Sequence, residues 1–211
     1  MKKVFVVLMA VCLLASCASV QGNKALEKAL EKEYKTKKKE FEKGGWTLYG
    51  SSRTFEVALL KHYDKLHNMD EDGFEVVGVA TKFKSKNVGR QMAANNAAVT
   101  YASMATTVKG RIISDLAGDG IEVGTEFEHF YAAFESQVEK EIRNELQESF
   151  ALIREHADED GTYEMQIFYI VSEAAASRAR IRALETAAKE SEAAQKYAKK
   201  VADFVKDGFK E

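Results

Sequence analysis

The chain of 211 residues contains no proline and only two cysteines. It also has no apolar run that approaches the roughly 20 residues of a transmembrane helix. Without proline, long uninterrupted helices are favoured and no proline-rich linker separates domains. Hydrophobic residues make up 45% of the sequence, so the chain can build a core. Its length fits one domain, or one domain with appended helices.

The two signs of charge are nearly balanced, with a formal net charge of −2. Nucleic-acid binding needs a concentrated basic face, so we expect no nucleic-acid partner. We find no nucleophile elbow, phosphate loop or dinucleotide fingerprint in the sequence. His62 and His67 are five residues apart, so their rings diverge on a helix and do not share a metal. We therefore expect no enzyme, no cofactor and no metal site. A hydrolase assembled from scattered carboxylates and His62, His129 or His156 stays open as a further hypothesis.

The N-terminus has the charged, apolar and small-residue order of a secretory signal. Lys2 and Lys3 precede the apolar run 4–14, and Leu-Ala-Ser then leads directly into Cys17. This sequence resembles the lipobox of bacterial lipoproteins. The resemblance implies that residues 1–16 are a signal peptide cut between Ser16 and Cys17, and that Cys17 carries a diacylglycerol. The other interpretation is an ordinary signal peptide cut elsewhere, with Cys17 left as a thiol.

Lipid on Cys17 would hold the protein at a membrane. Each buried methylene contributes about 0.8 kcal/mol, so two or three acyl chains make the anchor effectively permanent. Loss of residues 1–16 removes two lysines and leaves a formal charge of −4. With Cys17 acylated, no disulfide or cysteine metal site can form. Ala18 follows Cys17, where enteric-type lipoproteins retained in the inner membrane have aspartate. This implies an outer-membrane, periplasm-facing position, with residues 17–23 as a short tether.

Hydrophobic periodicity predicts an α+β fold, in which a small, mostly antiparallel sheet of about four strands packs with long helices. The predicted strands are 46–49, 74–83, 149–157 and 163–172, and the last two form a hairpin. The predicted helices are 24–43, 50–67, 87–116 and 125–145, followed by a long C-terminal helix over 173–211. The helix 24–43 carries eight lysines and five glutamates. Its polar face either contacts lipid headgroups or is solvated.

Two apolar stripes are candidates for binding. Helix 125–145 places four aromatic side chains on one face, where they either line a ligand groove or pack in the core. These are Phe127, Phe130, Tyr131 and Phe134. In the C-terminal helix, apolar residues from Leu184 to Val205 recur at steps of three and four, which indicates a narrow, alanine-rich seam. The seam can pack on helix 24–43, on an envelope protein or on a second copy of the chain.

A family resemblance rests on small residues within 73–172. It is carried by Gly78-Val79-Ala80, Arg90-Gln91-Met92-Ala93, Asn96-Ala97 and Tyr101-Ala102. This pattern resembles the Lpp-twenty lipoproteins of bacterial outer membranes. The resemblance implies an α/β sandwich, placed at 44–172, behind a lipobox, with no agreed enzymatic activity. We therefore predict a lipid-anchored, non-enzymatic envelope lipoprotein that acts by protein contact. The alternative is a ligand-binding lipoprotein that uses the aromatic face.

Overall fold

The computed structural model describes residues 28–69, 73–156 and 161–208. The predicted signal peptide, the tether and the lipid site at Ser16 and Cys17 lie outside the described residues. In chain order the elements are α1 over 28–43, β1 Thr47–Leu48, α2 Phe55–Asn68, β2 Gly73–Phe83, α3 Lys86–Ser103, α4 Ala105–Gly118, α5 Thr125–Arg143, β3 Gln147–Glu155, β4 Tyr163–Ser172, α6 Glu173–Ala187 and α7 Glu192–Asp207. None of the described helices is both long and apolar enough to cross a bilayer.

The four strands form one sheet in the order β1-β3-β4-β2, and every neighbouring pair is antiparallel. The α+β prediction, with its four-stranded antiparallel sheet and the hairpin of β3 and β4, is confirmed. Ile167 at the centre of β4 lies opposite Gly78 of β2 and Ala151 of β3. β4 is therefore an inner strand, whereas β2 lies at an edge of the sheet.

The sheet separates two apolar clusters, because successive side chains of a strand point to opposite faces. On β4, Ile167 and Tyr169 belong to the main core with α3, α4, α5, α6 and α7. Phe168 points the other way, into a smaller cluster with residues of α1 and α2. Helices thus cover both faces of the sheet, and α1 and α2 form the thinner layer.

Small residues let α3 lie very close to β2. A Cβ on Gly78 would be 2.0 Å from the carbonyl oxygen of Ala93, so only glycine fits there. Ala93 and Ala97 are completely buried at this contact. The side-chain oxygen of Asn96 also accepts a 3.2 Å hydrogen bond from the N–H of Val79 on the edge strand. The small-residue pattern is therefore explained by close helix packing.

The predicted single helix 87–116 is wrong in one respect, since the chain forms two helices that meet at Met104. Hydroxyl groups near the junction bond to carbonyls three residues back. The Ser103 hydroxyl donates to the Thr100 carbonyl. The Thr106 hydroxyl donates to the Ser103 carbonyl, and the Thr107 hydroxyl donates to the Met104 carbonyl. Such bonds compete with the regular helical pattern and bend helices.

The C-terminal segment is helical, as predicted, but it consists of the two helices α6 and α7. Ser191 separates the two helices as the N-cap of α7, because its hydroxyl accepts a 3.0 Å hydrogen bond from the N–H of Ala194. The apolar seam from Leu184 to Val205 is buried in the main core of the same chain. Within the described residues, its apolar side chains therefore pack on the main core and not on α1.

Candidate functional site

The aromatic face of α5 is part of the core, and its interpretation as a ligand groove is wrong. Phe127, Phe130, Tyr131 and Phe134 are each at most 2% exposed. Tyr197 of α7 covers Phe127, with ring centroids 5.3 Å apart. The hydroxyl of Tyr131 donates to the Ala105 carbonyl. The folding back of α7 closes this face, and helical periodicity alone could not show that.

The histidines of the hydrolase hypothesis lie on separate elements. His62 is on α2, His129 is exposed on α5, and His156 follows β3 with its Nε2 3.4 Å from Glu164. Within the described ranges there is no group of three or more histidine, cysteine, aspartate or glutamate side chains that could hold a metal. Of these histidines, His62 lines a cavity.

This cavity, which we call the α1 pocket, lies between α1, α2 and the sheet and has a volume of about 240 Å³. Its apolar lining comes from both helices and all three long strands: Phe41, Leu59, Val77, Phe150 and Phe168. Phe150 and Phe168 are direct partners in the β3–β4 register, and their rings stack with centroids 4.4 Å apart. Phe41 meets Phe168 edge-on at 5.7 Å. The pocket therefore has a rigid aromatic floor.

His62 is the most unusual group of the α1 pocket. Its side chain is 1% exposed, and its Nε2 lies 2.6 Å from Oε2 of Glu75. That contact does not have hydrogen-bond geometry, and neither ring nitrogen has a hydrogen-bond partner among the described residues. The ring packs edge-on against Phe150, with centroids 5.3 Å apart. A buried polar group without a hydrogen bond costs about 1–3 kcal/mol, so such groups call for an explanation.

Among the described lining residues, the one carboxylate is Glu75. Glu75 has no lysine or arginine within ion-pair distance in the described part of the chain. The hydroxyl of Tyr63 donates to Glu33 at 3.4 Å. Burial, and then the charges of Glu33 and Glu75, raise the pKa of Tyr63 well above its usual range. Lys37 also lines the cavity, but its Nζ is 3.8 Å from Glu40.

The lining contains no serine, threonine or cysteine among the described residues, and Gln166 completes its polar groups. An apolar lining with a few polar groups is typical of small-molecule sites. The sequence contained one signal for this site, since His62 falls on the apolar face of α2 between Leu59 and Tyr63. It had no signal for Glu75, which is 13 residues away and reaches His62 through the pairing of β2 with β4.

Comparison of the chain with family models, curated proteins and solved structures gave no match. The resemblance of residues 73–172 to the Lpp-twenty lipoproteins therefore stays a prediction. What the α1 pocket binds has to follow from its own geometry and charge.

Proposed function

We propose that the protein is a non-enzymatic, lipid-anchored lipoprotein of the bacterial cell envelope, held at the outer membrane through Cys17 and facing the periplasm. The order of residues 2–17 supports this, because it has the features of a lipoprotein signal. Ten residues lie between Cys17 and residue 28, so even a fully extended chain keeps the first described residue of α1 within about 40 Å of the lipid. The α1 pocket would then lie near the membrane surface.

The folded domain would serve as a small-ligand-binding module that uses the α1 pocket. The observation that carries this proposal is His62, which is buried in the pocket wall. Its Nδ1 has no hydrogen-bond partner among the described residues, and its Nε2 contacts Glu75 without hydrogen-bond geometry. A ligand that bonds to this ring would remove the cost of its burial. The aromatic floor supplies the apolar surface that small-molecule sites usually have. The proposed ligand site is therefore the α1 pocket, which lies on the opposite side of the sheet from the aromatic face of α5.

The anchor is tested by membrane fractionation and by mass spectrometry of the mature N-terminus. We expect the native chain to begin at Cys17, to carry acyl groups and to sediment with outer membranes. Cys17→Ser should abolish the lipid mass and release the protein from the membrane fraction. Cys12→Ser is the matched control and should leave both unchanged. A mature chain with a free Cys17 thiol in the soluble fraction would refute the anchor.

The pocket is tested by a fragment screen on the full chain, followed by NMR. Val77→Trp should fill the cavity from the sheet side, whereas Val99→Trp places the same side chain on the exposed face of α3. We expect fragments that bind the native protein to be displaced by the first substitution and retained by the second. Fragment binding that survives Val77→Trp would show that the pocket is not the binding site.

Contact with an envelope protein or a second copy is a second candidate function. The seam within 173–211 is buried, so a partner could reach only the outer faces of α6 and α7. A more suitable apolar surface lies on α3, where Val88, Met92 and Val99 share one face and are 43–49% exposed. A photo-crosslinker at Met92 should then capture a defined product in intact cells, and one at Glu185 on α6 should not. Equal or no capture at both positions would contradict contact through α3.

A further inference from the structure

We propose that the α1 pocket selects a small organic cation, namely a primary or secondary ammonium group on a compact apolar body. This inference rests on the ligand-binding function proposed for the pocket and names the chemical class of ligand. It follows from the Glu75 carboxylate in the pocket, the contact of this carboxylate with His62 and the shape of the aromatic floor.

The charge of the pocket favours a cation. The Glu75 carboxylate meets His62 and has no lysine or arginine within ion-pair distance in the described chain. Glu33 does not line the cavity, but its carboxylate accepts a hydrogen bond from the lining residue Tyr63. Lys37 opposes a cation, but its ammonium group already lies near Glu40. An anionic ligand would face Glu75 without a compensating charge, and like charges at such distances repel.

The contact between His62 and Glu75 adds a directional requirement that an ammonium group meets. Nε2 of His62 and Oε2 of Glu75 are 2.6 Å apart, which is too close for two unprotonated acceptors, so Nε2 is not free to accept a hydrogen bond from a ligand. The Glu75 carboxylate keeps its other lone pairs as acceptors for the N–H groups of an ammonium ion. A quaternary ammonium has no N–H to donate. The geometry therefore favours primary and secondary amines over quaternary ones.

The apolar lining determines the size and shape of the rest of the ligand. The stacked Phe150 and Phe168 rings, with Phe41 at an angle to them, offer aromatic surface close to the charged end. A cation near aromatic ring faces gains further electrostatic stabilisation. The volume of about 240 Å³ equals that of roughly eight waters at ~30 Å³ each. A benzylammonium ion is a probe of suitable size.

The test uses the full, lipidated chain in nonionic detergent and three probes of the same shape: benzylammonium, benzyl alcohol and benzoate. Isothermal titration calorimetry, corrected with protein-free micelles, should show benzylammonium binding at least tenfold tighter than benzyl alcohol, with no binding of benzoate. Glu75→Gln should weaken benzylammonium at least tenfold and leave benzyl alcohol unchanged. Glu148→Gln is the matched control, since this carboxylate pairs with Arg90 outside the pocket, and it should change neither.

Gln166→Glu adds a carboxylate to the pocket lining and should strengthen benzylammonium binding, which keeps the test decisive if Glu75→Gln fails to fold. Equal affinity for benzylammonium and benzyl alcohol, both lost in Val77→Trp, would overturn the cation class while leaving the ligand-binding function intact. If no probe binds and no fragment signal responds to Val77→Trp, both the class and the proposed function fail.

Discussion

Arg180 Nη1 donates a 2.8 Å hydrogen bond to the hydroxyl of Tyr101 and so joins α6 to α3 inside the core. The same guanidinium donates through Nε to the Val205 carbonyl on α7 at 2.8 Å and forms an ion pair with Glu173. Arg180 is 1% exposed. One buried charge therefore connects α6 to the neighbouring helix α7 and to α3, which is distant in the sequence.

Arg180→Ala should lower the free energy of unfolding by about 3–5 kcal/mol, since removing one partner leaves the Glu173 carboxylate without its cation. Tyr101→Phe removes a single acceptor and should cost about 1.5–3 kcal/mol, as expected for a hydrogen bond to a charged group. Urea unfolding measures both. Tyr49→Phe, a partly buried tyrosine outside this network, is the control. Equal effects of the two tyrosine substitutions would contradict the role of the Arg180 contact.

Gly78→Ala should destabilise the protein by about 3 kcal/mol, in the upper range of overpacking effects. The added methyl would meet backbone, because the nearest atom is the Ala93 carbonyl oxygen. Gly110→Ala in α4 is the matched control, since its Cβ would meet nothing within 4 Å. It should stabilise the helix by about 0.5–1 kcal/mol. In urea unfolding, the free energy of unfolding should fall for Gly78→Ala and rise for Gly110→Ala. An unchanged free energy for Gly78→Ala would show that α3 does not need to lie this close to β2.

Acid should weaken the contact between α6 and Glu145 in the turn that follows α5. Hydrogen bonds from Arg182, assisted by Arg178, lower the pKa of Glu145 below its ordinary value of 4.5. Because the folded pKa is the lower one, the stabilisation is complete above pH 4.5 and is lost as the pH falls through the folded value. Glu145→Gln should remove this part of the pH dependence in urea unfolding between pH 7 and pH 3.

Glu139→Gln is the control for Glu145, because Glu139 pairs with Arg143 within α5 and does not connect two helices. The Glu139→Gln protein should keep most of the pH dependence of the unfolding free energy. If Glu139→Gln and Glu145→Gln reduce the pH dependence of the unfolding free energy equally, the contact between Glu145 and α6 is not the origin of the effect.

High pH should destabilise the protein through ionisation of Tyr169. Burial, followed by the charge of Glu148, raises the pKa of Tyr169 to about 12 against an ordinary value of 10. The fold thus favours the neutral phenol, and this stabilisation is present below pH 10 and is lost as the pH rises towards 12. The tyrosinate absorbance of the native protein minus that of Tyr169→Phe should have its midpoint near 12. A midpoint near 10 would show that the ring is solvated.

Much of the sheet could be predicted because strand signals are local. Tyr163, Met165 and Ile167 alternate with Glu164 and Gln166 along β4, and the Asp-Glu-Asp-Gly turn signal in the sequence at 158–161 precedes this strand. The helical stripes were predicted for the same reason, but their partners were not. The stripe of α5 has the same spacing whether it is covered by α7 or left open for a ligand. Only the burial of these side chains distinguishes a core face from a ligand groove, and their burial depends on the position of α7.

The sequence by itself determined the period of each strand and helix and the small-residue contact between β2 and α3, because these depend on the backbone and on near neighbours. Only the tertiary structure decided that α3 and α4 are separate, that α7 folds back over the aromatic face of α5, and that His62 meets Glu75 in a pocket. These features depend on contacts between distant segments. Such contacts contribute to the free energy of folding only after the sheet has brought those segments together, so a local sequence pattern does not reveal them.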